Sequence, residues 1–109
     1  SIARAMLGNP QIPDGKIYQF MLKPGAKHNR DFVEAGYLSA ADGERLRADI
    51  LEKCKSAPFD EVGWDDQYKF VRYSQYITLG PAEHRFKVAW KLEPNSEQPQ
   101  LVTCFRKED

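Results

Sequence analysis

The sequence predicts an α+β fold in which three short N-terminal helices pack on one face of a three- to four-stranded antiparallel sheet. In the first half, apolar residues recur at helical spacing between helix-breaking Pro and Gly residues. Most of the second half is rich in β-branched and aromatic residues. Helices followed by strands along one chain are typical of an α+β domain.

Length and charge limit the possible classes of protein. A chain of 109 residues, of which 41% are hydrophobic, predicts a single domain with one core. Sixteen basic residues balance sixteen acidic ones, so binding to nucleic acid would depend on a local patch. We expect no membrane interaction, because no apolar run approaches the ~18 residues of a membrane span and no signal-peptide pattern opens the chain.

The helical half is predicted over residues 12–56, after a lead-in segment, residues 1–11, that could form one short helical turn. Asp14 is a plausible N-cap for a first helix over 15–22. The second helix, over 29–36, has Asn29 as its expected cap and Gly36 as its end, with Phe32 and Val33 facing inward. The third begins at a capping-box-like Ser39 and Asp42 and ends at Ala57-Pro58. Its expected buried stripe is Leu46, Ile50, Leu51 and Cys54.

The sheet is predicted over residues 67–106, after an acidic, turn-like segment at 59–66. Within 67–79 the alternation changes phase between Phe70 and Val71, which predicts a bulge or a break into two strands. Further strands are expected over 85–92 and 101–106.

The strand over 85–92 has two chemically opposite faces. Phe86, Val88, Trp90 and Leu92 fall on one side, and the other carries basic side chains. Those cations, Arg85, Lys87 and Lys91, could bind a phosphate backbone. The alternative is the ordinary solvated face of a one-sided antiparallel sheet.

Metal and cofactor chemistry is not expected. His28 and His84 are the only histidines, and neither has a second ligand at helical spacing. Cys54 and Cys104 form no metal-type cluster and are interpreted as buried thiols, with a disulfide or a nucleophile as alternatives. No glycine-rich phosphate loop or serine-nucleophile motif is present.

The densest set of groups for acid–base chemistry is Lys27-His28-Asn29-Arg30, at the expected start of the second helix. A helix N-terminus favours anions, and an imidazole can exchange a proton near neutrality. Metal-independent RNA cleavage needs one proton acceptor, one proton donor and a cation near phosphorus. His28, with Lys27, Arg30, Arg85 or Lys87 as the cation, could supply these functions. The alternative is an ordinary polar helix start.

Several motifs, read in order, resemble a family of small domains found alone or at the C-termini of large bacterial secreted proteins of the polymorphic or contact-dependent toxin type. The resemblance extends from about Ile12 to Arg106. The motifs are Ile12-Pro13-x-x-Lys16-Ile17, Met21-Leu22-Lys23-Pro24-Gly25-Ala26-Lys27-His28, Phe32-x-x-Ala35-Gly36-Tyr37, Leu46 with Asp49-Ile50-Leu51, Leu79-Gly80, Val88-x-Trp90 and Pro99-x-Leu101-Val102-Thr103.

The resemblance implies a toxin domain of the α+β ribonuclease type shared by barnase-like and RelE-like toxins. Lys16, Lys27, His28 and Thr103 lie in its motifs and are the candidate catalytic residues. Arg30, Arg85, Lys87 and Lys91 lie outside these motif assignments and are the candidate substrate-binding residues because of their positive charge. The implied partners are RNA and an acidic immunity or antitoxin protein. The implied site of action is the bacterial cytoplasm, reached as the C-terminal part of a secreted protein.

Two other functions fit the same sequence. One is a non-catalytic protein-interaction module of a toxin–antitoxin or phage-defence pair. The other is a toxin that acts on a substrate other than RNA.

Overall fold

A computed structural model of the protein describes residues 1–108. Helical elements occupy the first half of the chain and strands the second. The helices are α1 (Ile2–Met6), a π-helix (Lys16–Met21), α2 (Asn29–Glu34), a 3₁₀ turn (Ala40–Asp42) and α3 (Gly43–Cys54). The strands are β1 (Asp60–Asp65), β2 (Phe70–Leu79), β3 (His84–Leu92) and β4 (Gln100–Arg106). The α+β class and the antiparallel sheet agree with the prediction.

The sheet is a four-stranded antiparallel meander with strand order β1-β2-β3-β4. From Arg85 to Leu92, strand β3 alternates between half-buried and buried side chains, as its two-faced sequence predicts. Its inward residues Phe86, Val88 and Trp90 join one core with buried side chains of the helices. The side chains of the opposite face of the sheet, the outer face, include Lys87 and Lys91.

A buried polar side chain links α3 to the sheet. The amide of Gln75, 3% exposed, donates from Nε2 to the carbonyl oxygens of Cys54 and Ala57, each at 2.8 Å. Its Oε1 accepts a hydrogen bond from Nε1 of Trp90 at 2.9 Å. One side chain therefore satisfies the end of α3, the following turn and the largest buried residue of β3.

The helical half differs from its prediction in detail. The first helix is π-helical over Lys16–Met21 with Gly15 as N-cap, and Asp14 instead pairs with Arg47. Asn29 does not cap α2; the N-cap is His28, without a side-chain capping bond. Val33 is 37% exposed rather than buried, because α2 is too short to bury more than the Phe32 face.

The start of α3 follows its prediction closely. Oγ of Ser39 accepts from the amide of Ala41, and the Asp42 carboxylate accepts from the amide of Leu38 at 2.7 Å. Leu46, Ile50 and Cys54 are buried, while Leu51 is partly buried at the edge of the core.

The prediction of a turn at residues 59–66 was wrong, because Asp60–Asp65 forms strand β1. Its side chains are almost all exposed, so the acidic composition does not oppose strand formation there. Pairing with β2, with a register shift between Asp60 and Gly63, holds the strand in the sheet.

The predicted bulge or break between Phe70 and Val71 was also wrong. Strand β2 pairs continuously with β3 from Val71 to Leu79. The phase change has another cause: Phe70 and Tyr76 lie on the outer face, while the polar Gln75 lies in the core.

The lead-in segment contains α1 and then joins the sheet. Ala5 and Met6 are buried in the core. The amide of Gln11 donates to the carbonyl of Pro99 at 2.7 Å, and its carbonyl accepts from Leu101 at 2.9 Å. Gln11 therefore covers one end of the free edge of β4.

Cys54 and Cys104 are free, buried thiols, as predicted. Burial raises the pKa of Cys54 to about 12, against a smaller lowering by its hydrogen bond with Trp90. Burial also raises the pKa of Cys104 well above its ordinary value.

Because these two thiols are buried, we expect the free energy of unfolding to fall as the pH rises above about 9. The unfolded chain gives up its thiol protons near pH 9.0, whereas folded Cys54 keeps its proton up to about pH 12. Between these values the unfolded state binds fewer protons, so rising pH favours unfolding. The urea midpoint, measured under reducing conditions at pH 7.5, 9 and 10, should fall. A midpoint that is constant or rises from pH 7.5 to pH 10 would contradict the prediction.

Gly80 connects the sheet to the helical half and should not tolerate a side chain. It has φ +80°, and a Cβ there would overlap the carbonyl oxygen of Ala35. We expect Gly80→Ala to cost about 2–4 kcal/mol of unfolding free energy. Gly25→Ala is the matched control, since Gly25 has φ +86° but open space around the added carbon. It should cost only about 1 kcal/mol. Equal losses in urea unfolding would refute the role of the Ala35 contact.

Candidate functional site

The candidate site is a cavity of about 390 Å³ between the helical half and the free edge of β4. Three segments form its wall: the π-helix, the loop that leads into α2, and the middle of β4. Its lining includes all four candidate catalytic residues, Lys16, Lys27, His28 and Thr103. We call it the β4-edge pocket.

The loop before α2 is held by bonds that fix the position of Lys27 and His28. Gly25 adopts φ +86°, and the amide of Ala26 donates to the carbonyl of Lys23 at 3.0 Å. The side-chain amide of Asn29 donates to the carbonyl of Met21 at 2.9 Å. The loop is thus tied back to the π-helix, which places both segments on one wall of the pocket.

His28 has partners on two sides. Its ring stacks on Phe105 with centroids 5.1 Å apart and an interplanar angle of 22°. Its Nδ1 lies 3.5 Å from a carboxylate oxygen of Asp31, and the same oxygen accepts from the amide of Arg106 at 3.1 Å. With Nδ1 directed toward Asp31, Nε2 is the nitrogen that can exchange a proton with a substrate.

The two lysines differ in their surroundings. Nζ of Lys16 lies 5.3 Å from the centroid of the Phe20 ring, which is 60% exposed. Lys27 is exposed on the loop. Both ammonium groups belong to side chains at the rim of an open, partly apolar pocket, where a phosphate could be bound without deep burial of charge.

Thr103 reaches the pocket because β4 is irregular. The register between β3 and β4 shifts at Ala89/Trp90, with Trp90 opposite Leu101 and Ala89 opposite Thr103. Val102 is thus an extra residue in β4, 38% exposed beside the pocket. Bulges of this kind redirect side chains at sheet edges.

The expectation of an anion site at the N-terminus of α2 has weak support in the fold. This helix has six residues, and the amides of Asn29 and Asp31 already donate to the carbonyls of Ala26 and His28. Anion binding at this place would therefore depend on side chains.

The candidate substrate-binding residues lie outside the β4-edge pocket. Arg30 is exposed on α2. The guanidinium of Arg85 lies 3.8 Å from the centroid of Tyr76, and Nζ of Lys87 lies 3.1 Å from a carboxylate oxygen of Glu61. Nζ of Lys91 lies 3.2 Å from a carboxylate oxygen of Glu93. The last three residues share the outer face of the sheet.

Sequence reasoning missed two residues that contact His28. Asp31 could have been found, since three residues along a helix brings side chains together. Phe105 carries no such signal, because its contact with His28 depends on how β4 meets the helical half.

Other classes of site receive no support from the part of the chain that the structure describes. Within residues 1–108, no group of three or more His, Cys, Asp or Glu side chains is placed to hold a metal ion. No helix in the same range has the length and apolar character needed to cross a bilayer.

Comparison of the chain with protein-family models, with curated proteins and with solved structures finds no match. The toxin-family resemblance therefore remains a prediction from the motifs.

Proposed function

We propose that this protein is a toxin-type domain that cleaves RNA by metal-independent general acid–base chemistry in the β4-edge pocket. The observation that carries the proposal is the lining of that pocket, where His28, Lys16, Lys27 and Thr103 come together from both halves of the chain. An imidazole, two ammonium groups and a hydroxyl are sufficient parts for this reaction.

In this mechanism the 2′-oxygen loses its proton and bonds to phosphorus, which gives a 2′,3′-cyclic phosphate, while the bond to the 5′-oxygen breaks and that oxygen gains a proton. Nε2 of His28 either removes the first proton or donates the second. The ammonium groups of Lys16 and Lys27 stabilise charge on the phosphorus centre, and either can serve as the second proton-transfer group. The hydroxyl of Thr103 donates to a phosphate oxygen. The Asp31 carboxylate, 3.5 Å from Nδ1 of His28, favours the proton-bearing form of that nitrogen.

The proposal includes a fold-level likeness to barnase-like and RelE-like toxins, with the three helices packed on one face of the sheet. It also includes an acidic immunity or antitoxin protein as partner. The domain would act in the bacterial cytoplasm after delivery as part of a secreted protein. A small acidic protein encoded beside it would be the genomic sign of such a partner.

The test is cleavage of RNA by the purified protein in the presence of EDTA. We expect cleavage of unstructured RNA, with 2′,3′-cyclic phosphate ends that mark attack by the 2′-hydroxyl. Induced expression in bacteria should stop growth and degrade RNA. Intact RNA in both settings, with normal growth, would end the ribonuclease proposal.

A non-catalytic interaction module is the second candidate. The edge strand β1 favours it, since Val62 and Trp64 there are 56% and 54% exposed. Edge strands with exposed apolar side chains are common sites of pairing with another chain. If this is the function, partner binding would survive His28→Ala and be lost when Trp64 is replaced.

A further inference from the structure

The outer face of the sheet carries one row of rings and cations that runs up to His28. By register, Tyr76 of β2 lies opposite Lys87 of β3, and Lys87 lies opposite Phe105 of β4. Phe105 stacks on His28, and Arg85 lies over Tyr76. We call this set, His28, Phe105, Lys87, Tyr76 and Arg85, the ring–cation row.

The dimensions of this row suit a nucleotide chain. Neighbouring strands lie about 4.8 Å apart, so the two ring positions are separated by about 10 Å. Lys87 lies between them. Each ring is paired with a flat cationic or titratable group, His28 or Arg85, and both guanidinium and imidazole planes stack on nucleobases.

Small side chains lie beside Lys87 and Phe105 on the outer face. Next to Lys87 and Phe105 on this face lie Ala89 of β3 and Thr103 of β4, both half-buried, whereas Ser74 of β2 in the same row is buried. Thr103 also lines the β4-edge pocket. An RNA strand lying over Ala89 and Thr103 would therefore reach the candidate catalytic groups while it stays on the outer face of the sheet.

Most of the large exposed apolar side chains lie off this face or at its margins. Of the ten such side chains among the described residues, seven belong to helices or loops rather than to strands of the sheet. The ring–cation row therefore combines stacking surfaces with positive charge rather than an apolar patch. This combination favours a single-stranded nucleic acid over a protein partner.

We propose that the ring–cation row binds single-stranded RNA, with bases stacked at Tyr76–Arg85 and Phe105–His28 and a phosphate at Lys87. The proposal rests on the proposed ribonuclease function. It specifies that the substrate is single-stranded and that it crosses the outer face of the sheet to the pocket. A duplex cannot present unstacked bases to two rings, so single strands should be preferred.

Glu61 should act as an internal competitor for the bound phosphate. Its carboxylate lies 3.1 Å from Nζ of Lys87 and is itself largely exposed. A phosphate that takes this ammonium must displace the carboxylate. Removing the negative charge with Glu61→Gln should therefore tighten RNA binding severalfold, a result that a purely structural role of Lys87 would not give.

The experiment measures binding of a fluorescent 2′-O-methyl RNA oligonucleotide by anisotropy, because this RNA lacks the nucleophile and cannot be cleaved. Phe105→Leu and Tyr76→Leu keep apolar volume but remove a ring, and each should weaken binding by roughly 5- to 150-fold. Lys87→Gln should weaken it and flatten its salt dependence. Lys55→Gln is the control, since Lys55 is exposed on the C-cap of α3, bound to Glu52, and should change nothing. Thermal melts of each variant confirm folding.

The outcomes separate the two proposals. Cleavage of ordinary RNA with binding that ignores Phe105, Tyr76 and Glu61 substitutions would overturn this inference and leave the ribonuclease proposal standing. Row-dependent binding of the oligonucleotide without cleavage of ordinary RNA would support the row and overturn the ribonuclease proposal. Equal affinity for duplex and single-stranded RNA, or no RNA binding at all, would overturn the inference. A protein partner would then be the alternative ligand of the outer face.

Discussion

Replacing His28 with alanine should lower the rate of RNA cleavage by about 10²–10⁴-fold, the usual effect of losing a general acid or base. An imidazole is the side chain best suited to exchange a proton near neutral pH, and His28 is the histidine that lines the β4-edge pocket. The fold should be retained, because the ring is 35% exposed and its partners are the surface contacts with Phe105 and Asp31.

The other histidine supplies a matched control. His84, the first residue of β3, lies outside the pocket lining, so His84→Ala should cleave at the wild-type rate. Added imidazole should partly rescue His28→Ala, which a merely structural defect would not allow. Wild-type kcat in the folded His28→Ala variant would remove this residue from the mechanism.

Replacing Gln75 with leucine should be among the most destabilising single changes in the molecule. Leucine has a similar volume but leaves the carbonyls of Cys54 and Ala57 and the indole N–H of Trp90 without their partner. An unsatisfied buried polar group costs about 1–3 kcal/mol, so we expect a total loss of about 3–5 kcal/mol. For a domain of this size, that corresponds to a fall in Tm of at least ~12 °C.

Ser74→Ala is the neighbouring control for this change. Ser74 is equally buried, but its hydroxyl donates one bond, to the carbonyl of Asp60 at 3.1 Å. Its loss should cost about 1 kcal/mol. If calorimetry gave the two variants the same Tm, the Gln75 hydrogen bonds would not hold α3 to the sheet.

The parts of the fold that could be predicted are those where a repeating pattern meets one buried face. Strand β3 and the stripe of α3 are examples, since each buried residue follows the period of its element. Strand β1 could not be predicted, because it is exposed and held by pairing with β2. The π-helical form of Lys16–Met21 could not be predicted either, because hydrophobic periodicity distinguishes an α-helix from a strand and not a π-helix from an α-helix.

The sequence predicts which types of residue form the candidate site, but not which of them lie together in the folded protein. Lys27 and His28 are neighbours in sequence, but only the tertiary structure brings them to Lys16 and Thr103. Arg85 and Lys87 were candidate cations for the reaction at His28. They lie on the outer face, because alternation fixes the side of their side chains and β4 separates them from the pocket. Phe105 links the two places, a role that no local pattern indicates.

The sequential strand order has a consequence for how the chain acquires its structure. Each strand pairs with the next along the chain, so the sheet can form through three short hairpins with little loop-closure entropy. The bridge from Gln11 to Gln100 joins distant parts of the chain and should close late. A chain that starts unfolded can therefore form its sheet quickly, with residues 1–11 docking last.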